Sequence, residues 1–175
     1  IPTLPMEKYD SFSGISMGIY NHIALQFKKD FFPHDKDGYI YYKLNNQNTS
    51  IPRGVAGLTN SSGSNLSYFD TGGEFARELE NAGEEASIDF VLGELKTIFG
   101  SKVDKNLIKA HATSWASNPF TLGSYASAEP GSFYLRKVLR QSVGDRIFTA
   151  GEATAEEWAT VAGATRSGLR VAKEV

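Results

Sequence analysis

"RIFTAGEATAEEWATVAGATRSGLRVA" (residues 146–172) reads as a strand over Arg146–Ala150, a Gly-Glu loop, and a helix running from about Thr160 to Lys173. The helix is short of apolar bulk. Val161, Ala164, Gly168 and Ala172 form one small-residue stripe, and Gly151 and Gly163 lie in the same strand–loop–helix unit. Each glycine inside a helix costs roughly 0.5–1 kcal/mol relative to alanine, so the close approach it allows must bring a gain. Two gains fit: another backbone packed tightly against the helix, or a ligand lying at the helix start. A helix start offers unpaired N–H groups and a partial positive charge to a carbonyl or an anion. Glu152, after a glycine at a strand end, could accept hydrogen bonds from a polyol. A βα unit with a closely packed helix accounts for the same residues without a ligand.

Upstream, "GISMGIYNHIALQF" (14–27) alternates with period two and predicts one long strand. Ile19, Ile23, Leu25 and Phe27 share one side; Tyr20, His22, Ala24 and Gln26 share the other. A turn around Pro33 and Gly38 leads to an aromatic strand through Tyr39, Tyr41 and Tyr42. Residues 45–54 read as a polar loop, and 55–65 as a short strand running into a Ser/Gly/Asn loop. Thr71 with Glu74, and Asn81 with Glu84, have capping-box spacing and predict a short helix from about Gly73 and a longer one from about Glu84, stopped by Gly100. "NLIKAHATSW" (106–115) predicts a strand ending at Trp115, and "FYLRKVLRQ" (133–141) a short helix or turn. The opening "IPTLPMEKYD", with two prolines, reads as an extended entry from inside a longer protein.

Composition narrows the function. The formal net charge is −2 and no basic stripe is interleaved with aromatics, so nucleic acid is not an expected partner. No apolar run approaches the ~20 residues of a bilayer span, and no signal-like start is present, so no membrane partner and a cytoplasmic setting are expected. There are no cysteines, which excludes disulfides and thiolate chemistry. The three histidines (His22, His34 and His111) lie apart from any evident carboxylate cluster, and no metal site is expected.

The tail resembles the C-terminal signature of the flavin-dependent monoamine/polyamine oxidase family, which includes L-amino-acid oxidases and flavin histone demethylases: a strand, Ala-Gly-Glu, a variable loop, and a small-residue helix with Gly-Ala and Ser-Gly-Leu. "ATSWASNPFTLGSYASAEPG" (112–131) is similar to the family's Trp and Gly-Ser-Tyr segment, and "MGIYNHIALQF" (17–27) to the strand crossing behind the flavin. The resemblance implies an α+β chain: a mixed β-sheet substrate-binding portion with helices over 1–118, and over 119–175 the C-terminal βα unit of a split Rossmann-like FAD-binding domain. The family's Gly-x-Gly-x-x-Gly turn is not matched; "DTGGEFARELENAG" (70–83) has other spacing and no predicted strand before it.

Site residues follow from the same resemblance. Tyr125 falls where an aromatic flanks the amine beside the flavin ring, and Thr160 where monoamine oxidases carry a second tyrosine. His22 takes the place of a lysine that holds a water near flavin N5. These three are the expected catalytic positions. Trp115, Gly151, Glu152, Thr160 and Val161 are the expected FAD-binding positions, with the Val161 N–H at the flavin C2 carbonyl region and Glu152 near the ribityl chain. Ser124 replaces the cysteine of covalently tethered relatives, so the FAD is expected to be noncovalent. The implied activity is oxidative deamination of a primary or secondary amine, polyamines and amino acids included, with oxygen as acceptor, carried by the full-length protein and not by this stretch alone. The implied partners are the amine, the N-terminal half of the same protein, and a second copy through uncovered apolar surface. Alternatives are a flavin dehydrogenase or desaturase with another acceptor, and a noncatalytic partner-binding module.

Overall fold

The computed structural model describes residues 3–43 and 54–175. Helices and antiparallel sheets together make the α+β class expected from the sequence. Close packing divides the chain into two compact units, Ile19–Leu122 and Ile1–Gly18 with Gly123–Val175. The polar stretch over 45–53 lies outside the described residues.

The long strand predicted over 14–27 is two strands, β1 (Ile15–Gly18) and β2 (Tyr20–Phe27), and they join different sheets. In the first unit β2 is flanked by β5 (Leu66–Gly72) and β6 (Leu107–Ala112), and the sheet continues through β4 (Gly54–Thr59) to β3 (Gly38–Lys43). Every pairing in it is antiparallel. The period-two reading of β2 holds: Ile23, Leu25 and Phe27 are buried, whereas His22 is exposed. Phe69, Val55 and Phe32 join them in the core.

The helices α2 (Gly73–Ala82) and α3 (Glu84–Phe99) begin where the sequence predicts, but no capping box forms. Thr71 belongs to β5 and Asn81 to the interior of α2, so neither can cap. Gly83, at φ 107°, makes the break between the helices. Val91, Leu92 and Leu95 of α3 are buried on the sheet, each side chain contributing about 1.5–3 kcal/mol of burial. A short helix α4 (Lys102–Asn106) leads into β6, which ends at Ala112 and not at Trp115. β5 was not predicted. It precedes Gly73 directly, yet it runs antiparallel to both neighbours, so "DTGGEF" is no parallel dinucleotide-binding turn.

In the second unit β1 pairs with β7 (Tyr125–Ala128). The opening segment is helical from Met6, not extended: α1 (Met6–Gly14) starts directly after Pro5, and its buried Lys8 donates to the carbonyls of Val138 and Leu139 at the end of α5 (Leu135–Arg140). Ile15, Ala126 and Leu135 form the core. The strand predicted over Arg146–Ala150 is reduced to a single bridge, Val143 to Ile147. The Thr149 carbonyl accepts from Arg170, which occupies an acceptor that a ladder would use. The last helix, α6 (Val161–Glu174), matches its prediction, and Thr160 caps it by accepting from the Gly163 N–H.

Candidate functional site

In the second unit the loop between Gly151 and Thr160 is held by one carboxylate. Glu152 accepts from the Ala126 N–H at 2.7 Å and from the Ala159 N–H at 2.8 Å. It thereby ties the strand bearing Tyr125 to the residue before the α6 cap. Each oxygen keeps a second lone pair for an incoming donor. Gly151, at φ 128°, donates its N–H to Ser167 at 2.8 Å, joining the loop to the helix.

The small residues of α6 divide into two groups. Gly163 and Ser167 are buried, and a Cβ on Gly163 would overlap the Glu157 carbonyl oxygen. Val161 and Gly168, counted in the predicted stripe, are exposed instead, and a Cβ on Gly168 would meet nothing. The tight approach is thus real but lies one residue off the expected register. It leaves the first turn of α6 open, with Val161 84% exposed.

Tyr125 stands 6.5 Å from Trp158, centroid to centroid. The Arg136 guanidinium lies 4.9 Å from the Trp158 ring and donates to Ala153 O (2.9 Å) and Ala126 O (3.1 Å). Nothing in the sequence singled out Arg136, which is 3% exposed. The second unit therefore brings together Tyr125, Gly151, Glu152, Thr160 and Val161, five of the expected positions, and adds Trp158 and Arg136.

The first unit carries the other two. Trp115 is 40% exposed, which removes it from the core. Its N–H donates to Asn21 Oδ1, and its carbonyl accepts from Thr121 at 2.7 Å. His22 is not isolated: its Nδ1 lies 2.6 Å from Asp70 Oδ1, directly across the β2–β5 pairing. The hydrogen bond to Asp70 raises the imidazole above its ordinary 6.5; partial burial opposes this and the carboxylate charge adds to it. His111 likewise meets Glu84 at 2.8 Å, on the surface. Each of these two histidines meets a single carboxylate and not a cluster, and strand register, not sequence spacing, makes the His22 pair. No group of three or more His, Asp or Glu arranged to hold a metal occurs among the described residues. No helix among them is long and apolar enough to cross a membrane.

The open first turn of α6 and the acceptor Glu152 fit a ligand with a carbonyl and hydroxyls, as a flavin with its ribityl chain has. Comparison with known proteins agrees. The family model described as flavin containing amine oxidoreductase matches residues 1–175. The chain is 34% identical over 182 residues to lysine-specific histone demethylase 1 homolog 2 of Oryza sativa subsp. japonica, covering 99% of this chain and 23% of that protein. It is 28% identical to polyamine oxidase 5 of the same organism, covering 99% of this chain and 34% of that one. Among solved structures, a putrescine oxidase with redesigned cofactor binding superposes with a TM-score of 0.72 at 21% identity, over 99% of this chain and 38% of that one. Cyclohexylamine oxidase from Brevibacterium oxydans gives 0.69 at 17% identity, over 98% and 38%. The chain thus spans well under half the length of these relatives.

Proposed function

The chain belongs to the flavin containing amine oxidoreductase family, and we propose that it is the C-terminal part of an FAD-dependent amine oxidase acting on a primary or secondary amine. The observation that carries the reading is the Glu152 clamp, which joins Tyr125 to the start of α6 within one unit. When bound, FAD would supply the redox chemistry, a two-electron oxidation of the carbon next to the neutral amine to an imine that water hydrolyses. The chain's own residues place the reactants. Tyr125, backed by Trp158 and Arg136, offers an aromatic face that attracts the cationic amine on approach and bounds a dry slot. Thr160 is small and leaves the opposite wall open to bulky substrates such as polyamines. By the family resemblance, the Val161 N–H and the spare lone pairs of Glu152 would hold the cofactor, at its C2 carbonyl region and its ribityl hydroxyls respectively. By the same resemblance, Trp115 would contribute to holding the cofactor. Ser124 has no thiol with which to tether the ring, so the FAD is noncovalent. By the same resemblance, His22 would take the place of the family's lysine, where its protonated form would orient a water or favour reaction with oxygen.

The domain reading is part of the same proposal: 1–118 contributes to the substrate-binding domain and 119–175 to the FAD-binding domain. The test is anaerobic mixing of the full-length flavoprotein with a panel of amines. Bleaching of the flavin by an amine, followed by peroxide on admitting air, is the expected result; no bleaching by any amine of the panel overturns the reading. A second reading, a dehydrogenase with a different acceptor, is favoured by one feature, the histidine where the family's lysine is expected. It predicts bleaching without fast reoxidation by air.

A further inference from the structure

Resting on the reading above and deepening it, we propose that Asp70 is a positioning residue for His22, fixing the ring through Nδ1 and holding it cationic for the oxygen step. His22 and Asp70 are direct cross-strand partners on β2 and β5, so the backbone ladder itself sets their approach. Their 2.6 Å separation is that of a charge-assisted hydrogen bond. The carboxylate only accepts, so the proton on Nδ1 belongs to His22, and Nε2 is the nitrogen left for a water or ligand.

Two tyrosines steady the ring. Tyr20, two residues back on β2, and Tyr68 on β5 each present an edge at 5.5 Å, with interplanar angles of 86° and 85°. The ring stays open to solvent (46% exposed), whereas Asp70 is only 11% exposed, so the carboxylate is the inner member of the pair.

Other charges near the ring do not duplicate this role. On β6 the neighbouring His111 is engaged with Glu84 of α3, and Lys109 pairs in register with Gln26, further along β2. On β3, burial raises the Tyr39 phenol and the charge of Asp70 raises it further, so this group stays neutral beside the pair. Asp70 is the carboxylate that meets the ring. The role is electrostatic: no proton leaves His22, and no bond is made or broken by the pair.

The experiment uses the full-length flavoprotein, wild type and Asp70→Asn, labelled with [15N]histidine. In the wild type the His22 ring should titrate above 6.5; in D70N its midpoint should fall back toward that value. Stopped-flow reoxidation with oxygen should lose its rate at a correspondingly lower pH in D70N, while anaerobic reduction by the amine keeps its profile. In the double variant H22K/D70N the reoxidation profile should no longer respond to the Asp70 change, because lysine carries its charge unaided. This second variant keeps the test informative if D70N alone loosens the sheet. An unmoved His22 midpoint in D70N overturns the assignment of Asp70. A midpoint that falls while reoxidation keeps its profile overturns the oxygen role of His22 and leaves the pair standing.

Discussion

Glu80 Oε2 lies 2.8 Å from Asn21 Nδ2, and this one hydrogen bond links α2 to β2 beneath the Trp115 loop. The same carboxylate accepts from the N–H groups of Ser117 and Ala116, while Asn21 Oδ1 accepts from Trp115 N. Glu80→Ala strands the buried Asn21 amide and frees the loop. The expected cost is about 1–3 kcal/mol in denaturant unfolding, with red-shifted and more quenchable Trp115 fluorescence. Intact loop fluorescence in E80A would show that the loop is held by other contacts.

The two carboxylate networks give opposite pH dependences. Burial pushes the Glu80 carboxyl up, but hydrogen bonds from Asn21, Ser117 and Ala116 outweigh it and hold it below its ordinary 4.5. Its contribution to stability is present above pH 4.5 and is lost as pH falls through the folded value. The His22 imidazole is raised, so its contribution is full below pH 6.5 and is lost as pH rises through the folded value. Unfolding free energies of E80A and D70N, each subtracted from wild type across pH 3–9, should therefore diverge at opposite ends of the scale. A wild-type minus D70N difference that grows above neutrality would contradict the sign given for His22.

Two glycines of α6 should respond differently to the same change. Gly163→Ala forces a methyl into the Glu157 carbonyl, and a cost of about 1–3 kcal/mol is expected. Gly168→Ala meets open space in a helix interior and should leave stability unchanged or raise it by up to about 1 kcal/mol. Thermal melts of the two variants side by side decide this. Equal destabilisation would mean that Gly168 is covered in solution.

This contrast also shows what was legible in the sequence. Element type followed local signals: alternation placed β2, apolar spacing placed α3, and Thr160 with its small-residue helix placed α6. The chain's pairing was not legible. β5 escaped because "LSYFDTG" carries Ser, Asp and Gly, poor strand formers whose place is set by β2 and β4 on either side. With β5 unseen, Asp70 could not be matched to His22. Arg136 was likewise invisible, since an arginine within "FYLRKVLRQ" reads as surface until its guanidinium is found between Ala126 O and Ala153 O. Tyr125, Glu152, Thr160 and Val161 were expected positions through the family resemblance alone, whereas the residues packed around them, Trp158 and Arg136, come from tertiary contacts.

The flavin of the full-length protein should be released intact on acid precipitation. By the family resemblance, Ser124 falls where covalently tethered relatives carry a cysteine, and these 175 residues contain no cysteine. All yellow chromophore is expected in the supernatant, with a mass equal to free FAD; chromophore retained in the pellet would require another covalent link.

The sharpest test of the oxygen reading is His22→Lys in the full-length enzyme. The wild-type ring carries charge only while it stays protonated, an equilibrium that Asp70 shifts but does not abolish. Lysine, with an ordinary value near 10.4, keeps its charge throughout the neutral range. Reoxidation by oxygen should therefore quicken in H22K, most at the alkaline end where His22 has lost its proton. Flavin reduction by the amine should change little, because on the proposed reading it depends on placement near Tyr125 and Thr160. Stopped-flow spectroscopy resolves the two half-reactions in one preparation. A rise confined to reoxidation supports His22 as the group facing the oxygen step. Parallel changes in both half-reactions, or none in reoxidation, would make His22 a sheet residue whose pairing with Asp70 serves the fold alone.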